Sequence, residues 1–281
     1  MSSIKRIANA YFPITGTPFQ QDETYREYAP CAALRPYIRC FWGTERPVAL
    51  PPGKDEPGIV IPDTCMDIIF DLNYTQNSAA SFFAAIDEGS YRTGGWRSAD
   101  LTSTFAIRFY AWSAALFTRE NLVGTKNHHF PVDMFFAGLR RRLEPLFWDV
   151  PDIGSRITIT EGILLEMLDD SRYSADVMNA VDYLIKTHGR AKITDLCCIT
   201  AASQKGLERA FGRQIGLSPK AFSGLVRYQL LWQELLRRPG TNIQDLVDQF
   251  GYTDQAHLLH DFRRRHLMTP SEALALAHRK K

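Results

Sequence analysis

Ile193-Thr-Asp-Leu196-Cys197 and Ile243-Gln-Asp-Leu246-Val247 share one apolar spacing, i, i+3 and i+4, which lines a single face of a short helix. Four residues beyond each stretch comes a turn position, Ala201 in the first and Gly251 in the second. A second helix then opens behind a residue whose side-chain oxygen can cap it, Ser203 or Asp254. Leu207 and Phe211 mark the inner stripe of one second helix and Leu258 and Phe262 that of the other, while the outer faces are rich in Lys, Arg, Gln and His. Helix, tight turn and helix with a basic outer face is the sequence form of a helix-turn-helix, whose second helix fits the roughly 12 Å major groove of DNA.

Outward from these two units, the chain reads as helical from Ser174 almost to its end. Breaks at His188-Gly189, Ala201, Gly216-Leu217-Ser218-Pro219, Pro239-Gly240, Gly251 and Thr269-Pro270 predict about seven short helices. From Ser171 onward there are 17 lysines and arginines against 10 acidic residues, and the rest of the 281 residues hold 16 against 21. The net charge of +2 therefore hides a basic C-terminal part, suited to a polyanion, joined to an acidic N-terminal one.

Ser174 to Leu274 resembles the DNA-binding domain of the AraC/XylS family of bacterial transcription regulators. The match is carried by Leu207-Glu-Arg209-Ala-Phe211 through Gly216-Leu-Ser-Pro219-Lys-Ala-Phe222, by Gly251-Tyr-Thr-Asp-Gln-Ala-His257-Leu-Leu-His-Asp-Phe262, and by Thr269-Pro270-Ser271. The resemblance implies two recognition helices held by a long central helix, Ser218 to Arg238, with one monomer reading two successive major-groove segments of double-stranded DNA. It also places Lys205, Glu208 and Arg209 on the outer face of the first recognition helix, and Gln255, Ala256, His257 and His260 on that of the second. Arg209 suits a guanine edge, Gln255 an adenine and Glu208 a cytosine N4. Lys205, Arg213, Arg263 and Arg264 suit phosphates. The chain departs from the family pattern at Ala201, where a turn glycine is usual, at Cys197 and Val247, where a small residue is usual, and at His266-Leu267, which replaces an aromatic-glycine pair.

Residues 1 to 130 read as β-rich. Candidate strands are Tyr37 to Thr44, Gly58 to Ile61, Met66 to Asn73, Gly89 to Gly94 and Thr102 to Tyr110, cut by turn signals such as Pro51-Pro52-Gly53 and Gly94-Gly95. Helical spacing returns in Pro131 to Phe147 and Ile157 to Leu168, where Phe135, Leu139 and Leu143 form a stripe able to pair two chains. The expected fold class is α+β. A cupin-like N-terminal β-barrel that senses an effector (1–130) is followed by connecting or dimerising helices (131–170) and an all-α C-terminal domain with two helix-turn-helix units (171–281). Tyr37-Ile-Arg-Cys-Phe-Trp42, Ile61-Pro62-Asp63-Thr-Cys65-Met-Asp67-Ile-Ile-Phe70 and Ile107-Arg108-Phe109 also resemble a poorly characterised N-terminal domain of some family members.

Alternation puts Asp67, Ile69 and Asp71 on one face of their strand, and Ile68, Phe70 and Leu72 on the other. Trp42, Phe70, Arg92, Trp96, Arg108, Tyr110 and Trp112 are candidate pocket residues for a small-molecule effector. The plainer alternative makes the aromatics core, with the arginines paired to Asp63 or Asp67. His128-His129 is a weak metal signal, because residues 1 to 127 hold no histidine, and no metal or cofactor is expected. Five cysteines without a CxxC pair fit reduced thiols, and the adjacent Cys197 and Cys198 read as packing rather than as a redox pair.

No P-loop, GxGxxG, HExxH or GxSxG motif suggests an enzyme. A DNA-repair methyl acceptor with a reactive Cys65 is the alternative of another class, opposed by Asp63 and Asp67 beside that thiol. The expected protein is cytoplasmic, away from membranes, homodimeric and in contact with RNA polymerase.

Overall fold

The structure, a computed structural model, describes residues 3–17, 24–50, 59–92 and 98–278. Its N-terminal half is built on two long strands, β5 (Cys65–Asn73) and β8 (Thr102–Tyr110), paired antiparallel along their whole length from Cys65 opposite Tyr110 to Asn73 opposite Thr102. β3 (Ile38–Gly43) and β2 (Arg26–Tyr28) extend the sheet on one side, and β6 (Ser78–Ala84) and β9 (His129–Pro131) on the other, giving the order β2-β3-β8-β5-β6-β9. A small sheet of β1 (Gly16–Thr17), β4 (Ile59–Val60) and β7 (Tyr91–Arg92) stands apart from it. Strands were expected here and are found, but the described ladders end at β2 and β9, so they form an open sheet rather than a closed barrel.

Residues of opposite parity face opposite ways. Phe70 and Phe105 point to Phe147 of helix α2 (Asp133–Asp149), with ring centroids 5.2 and 4.9 Å away, and Phe83 meets Phe136 at 5.1 Å. Leu139 and Leu143, offered by the sequence as a pairing stripe, are fully buried in this same core. The stripe is thus covered within the chain, because one face of a wide sheet leaves more apolar area than its own strands can bury. Arg156 of α3 (Ile153–Met167) is buried without a carboxylate partner among the described residues. It donates instead to the carbonyls of Val150 and Phe147, to Ser103 Oγ and to Tyr74 Oη, fixing α3 to the sheet.

Helix α1 (Ser3–Ala10) lies in the part read as β-rich. It buries Ile4, Ile7 and Ala8 in the core and pairs Arg6 with Asp182 at 2.7 Å.

Seven helices follow, as the breaks predict: α4 (Ala175–Lys186), α5 (Ile193–Thr200), α6 (Gln204–Ile215), α7 (Pro219–Arg237), α8 (Ile243–Phe250), α9 (Gln255–His266) and α10 (Pro270–His278). Pro219 at the first turn of α7, capped by Ser218 Oγ accepting from the Ala221 N–H at 3.2 Å, starts the long helix where the sequence places it. Phe222, Leu225 and Val226 on its first half belong to one core, shared with Phe211 and with the sheet. Tyr228, Leu231, Trp232 and Leu235 on its second half belong to another, with Leu246, Phe250, Leu258 and Phe262. Nineteen residues at about 1.5 Å each give α7 a length of about 28 Å, close to the ~34 Å repeat of duplex DNA.

Candidate nucleic-acid interface and cavity

The two helix-turn-helix units have the same dimensions, eight residues in the first helix and twelve in the second. Each second helix is capped as its sequence requires. Ser203 Oγ accepts from the Gly206 N–H at 3.1 Å, and Asp254 Oδ1 from the His257 N–H at 2.7 Å. Both turn residues are left-handed, Ala201 at φ 51° and Gly251 at φ 65°. With Leu207 and Phe211, or Leu258 and Phe262, turned into the core, the opposite faces of α6 and α9 meet solvent. Lys205, Glu208, Arg209 and Arg213 are exposed on α6, and Gln255, Ala256, His257, His260, Arg263 and Arg264 on α9.

Some of these side chains already have partners. Gln204 Nε2 donates to Glu208 Oε1 at 2.9 Å, Gln255 Nε2 to Gln244 Oε1 at 3.3 Å, and Arg264 pairs with Asp261 at 2.8 Å. Among the described residues, no side-chain hydrogen bond or ion pair holds Lys205, Arg209, Arg213 or Arg263.

The face of the large sheet turned away from α2 closes over a cavity of about 330 Å³, roofed by the small sheet, at the lower end of the roughly 300–1,000 Å³ typical of small-molecule sites. Arg108 lies at its floor, buried, with Asp67 at 3.1 Å, Asp63 at 3.5 Å and Thr15 Oγ1 at 2.8 Å. Trp42 Nε1 donates to Asp67 Oδ1 at 2.7 Å, fixing the indole as part of the wall. Burial raises the Asp63 carboxyl above its ordinary pKa, with Arg108 opposing and Asp67 adding to the shift.

One wall of the cavity is tied to α7. Fully buried Gln229 donates from Nε2 to the carbonyls of Ile14 (2.7 Å) and Pro62 (2.8 Å), and its Oε1 accepts from the Ile14 N–H at 2.8 Å. Pro62, with Ile61 and Asp63 on either side of it, lines the cavity. A cavity wall and the helix that carries both units are thus joined through one side chain.

A helix-turn-helix domain family matches residues 196–275, covering the core of the double unit, and a domain of unknown function matches residues 26–131, the large sheet. Residues 196–275 thus carry a helix-turn-helix domain, in the stretch where the sequence resembles AraC/XylS regulators. Among solved structures it is similar to a probable AraC family transcriptional regulator from Rhodopseudomonas palustris, at 29% identity over 37% of this chain and 98% of that one with a TM-score of 0.33. ToxT from Vibrio cholerae is similar at 10% identity over 95% of this chain and 97% of that one, with a TM-score of 0.39. These scores lie below 0.5, and the helix-turn-helix assignment of the C-terminal part rests on the domain match. No curated protein matches.

The residues that the AraC/XylS pattern places outward are exposed on α6 and α9, but the cavity was harder to read from sequence. Of the seven candidate pocket residues, Trp42 and Arg108 line it. Phe70, Tyr110 and Trp112 do not: Phe70 packs on Phe147, and Tyr110 stacks on Trp112 with centroids 4.5 Å apart inside the core. Arg92 is exposed on β7, and Trp96 lies outside the described residues. Strand parity holds the missing signal. Thr102, Thr104 and Arg108 share a face of β8, as Asp67 and Ile69 do on β5, and all five line the cavity. Phe82 and His129 on β6 and β9 were not legible, since those strands were not expected.

Cys65 is buried, and burial together with Asp63 holds its thiol well above the ordinary value, which opposes a methyl-accepting thiolate. Cys198, expected to pack, is exposed, and Cys197 is half-buried. Among the described residues no group of three or more His, Cys, Asp or Glu is placed to hold a metal ion, and no helix is long and apolar enough to cross a membrane.

Proposed function

We propose that one chain inserts α6 and α9 into successive major-groove segments of an asymmetric DNA site. The observation that carries this reading is the exposure of all ten outward residues on two equal units spaced along one rigid helix. Arg209, Gln255 and Glu208 then read bases, Ala256, His257 and His260 lie against the groove, and Lys205, Arg213, Arg263 and Arg264 hold phosphates. Selection over random duplexes with the full chain tests this. An enriched two-part motif is expected, with affinity falling steeply as salt rises, and a selection without enrichment sinks the proposal.

We further propose that a small molecule in the cavity controls DNA affinity through Gln229. Pro62 lines the cavity and its carbonyl accepts from that side chain, so an occupant that moves this wall moves the anchor of α7. Gln229→Leu is expected to leave DNA binding in place and abolish its response to ligand in a mobility-shift titration. In this reading residues 1–130 sense, 131–170 connect and 171–281 bind DNA, within a cytoplasmic homodimer that contacts RNA polymerase. The exposed Met134, Leu146 and Leu165 of α2 and α3 offer a pairing surface, and sedimentation showing a monomer well above micromolar concentration would contradict it.

A further inference from the structure

We infer that the cavity accepts a small organic cation, a ligand with one ammonium or amidinium head on an apolar, preferably aromatic, body. The inference rests on the proposal that the cavity is a ligand site and adds the charge class of the ligand. Its basis is a count of opposed charges in a confined space. Asp63, Asp67 and Asp87 line the cavity, whereas Arg108 is the one lysine or arginine that does so among the described residues. His129 lies 3.5 Å from Asp87, whose hydrogen bond favours its protonated form, so that carboxylate has its own partner.

Arg108 is already divided among acids. Asp67 stands 3.1 Å, Asp63 3.5 Å and Glu27 4.0 Å from its guanidinium, and Glu27 also pairs with Arg39 at 3.5 Å. Asp63 is the least satisfied of these carboxylates. Its Oδ1 accepts from the Cys65 N–H at 2.7 Å, but among the described residues its buried Oδ2 makes no close hydrogen bond and faces the Arg108 Nη2 ion pair at 3.5 Å, which is a costly state for a buried polar atom unless something fills the site.

Burial raises the Asp63 carboxyl, Arg108 opposes that shift, and the neighbouring Asp67 carboxylate adds to it. Arg108 Nε is also without a hydrogen-bond partner. A carboxylate ligand drawn to it would nevertheless sit beside three carboxylates within 4.0 Å of the same guanidinium, whereas a cation would relieve their mutual repulsion. The walls suit the remainder of such a ligand. Trp42 and Tyr25, with centroids 5.2 Å apart, together with Phe82 and Tyr91, offer aromatic surface to a cation and to its apolar body.

Calorimetric titration of the full chain with 2-phenylethylamine, tryptamine and benzamidine tests this against 3-phenylpropionate and 2-phenylethanol, which match the first amine in shape. At least one cation is expected to bind saturably and raise the melting temperature, and 3-phenylpropionate and 2-phenylethanol to bind at least tenfold more weakly than the best cation. A carboxylate that binds as tightly as the matching amine overturns the inference, and so does a failure of all three cations to bind. Asp63→Asn is expected to weaken the cation at least tenfold while leaving the unliganded melting temperature unchanged or higher. Retention of full affinity by that variant overturns the charge assignment, and the wild-type panel decides the matter if the variant does not fold. A mobility shift with the best-bound probe separates the two readings. A cation that binds without altering DNA affinity leaves this inference standing and removes control by ligand, and a carboxylate that binds and alters DNA affinity does the reverse.

Discussion

The two helix-turn-helix units are alike in length and backbone and differ in what surrounds them. The first shares its core with the sheet and with α1, whereas the second has its own core, to which Ile59, Ile61 and partly buried Ile14 contribute from the N-terminal half among the described residues. Each unit also has two left-handed residues, one glycine and one not, but in opposite places: Ala201 at the turn and Gly216 at the end of the first, Gly251 at the turn and Leu267 at the end of the second. The backbone path is therefore set by packing at both ends of both units, and glycine becomes obligatory only where something crowds it. At Gly216 something does. A Cβ there would lie 2.5 Å from Thr125 Oγ1 and 2.9 Å from the Leu122 carbonyl, in the loop that also hydrogen-bonds to the Arg213 carbonyl.

The largest test of this contrast is Gly216→Val. It adds left-handed strain of roughly 1–2 kcal/mol to a clash against backbone of roughly 1–3, so a loss of about 3 kcal/mol is expected in urea unfolding, with sheet and helices melting together. At Gly251 the nearest atoms to an added Cβ belong to the Arg190 side chain, which can move, and Gly251→Val is expected to lose about half as much. Equal losses would break the claim that the first unit is the one locked to the sheet.

Arg209→Ala is expected to lose about 2 kcal/mol of discrimination at one or two base pairs, while Arg263→Ala weakens all duplexes alike. Selection profiles of both variants check this, and identical profiles would reduce Arg209 to a phosphate contact.

His266 sharpens the contrast through pH. It is wholly buried against Phe262 and Trp232, with centroids 4.8 and 4.6 Å away and Tyr228 Oη 2.7 Å from its Nδ1, and burial lowers its pKa from 6.5 to about 3. Below pH 6.5 the unfolded chain gains a proton there that the folded chain refuses, so stability falls as pH falls, and goes on falling until about pH 3. From pH 6.5 to 5 the loss is about 2 kcal/mol. His266→Phe keeps the stack and is expected to remove that part of the slope, and an unchanged slope would show that the second core does not carry the charge penalty.

The smallest expected effects are gains. Ala201→Gly and Leu267→Gly each relieve a left-handed side chain, and both residues are exposed, so each should raise stability by up to about 1 kcal/mol. A loss at Ala201 would show that its methyl group packs usefully.

How far sequence could be read follows from how local each feature is. The seven helices, the caps at Ser203 and Asp254 and the outward faces depend on residues three or four apart, and they were legible. α1 has the same kind of spacing at Ile4, Ile7 and Ala8 and was passed over inside a stretch dominated by strand signals. The pocket was half legible. Parity on β5 and β8 predicts Asp67, Ile69 and Arg108, but Phe70, Tyr110 and Trp112 were misjudged because aromatic residues suit a core as well as a cavity, and only the position of α2 decides which face is which.

By itself, then, the sequence determined the double unit, its long connecting helix and the side chains it presents, since helix period and capping act over a few residues. Tertiary structure alone decided that the sheet stays open, that the stripe on α2 serves its own chain, and that Gln229 joins a cavity wall to the helix bearing both units. Each of those depends on which distant segments meet, and the free energy that selects them comes from burying surface the local pattern does not identify.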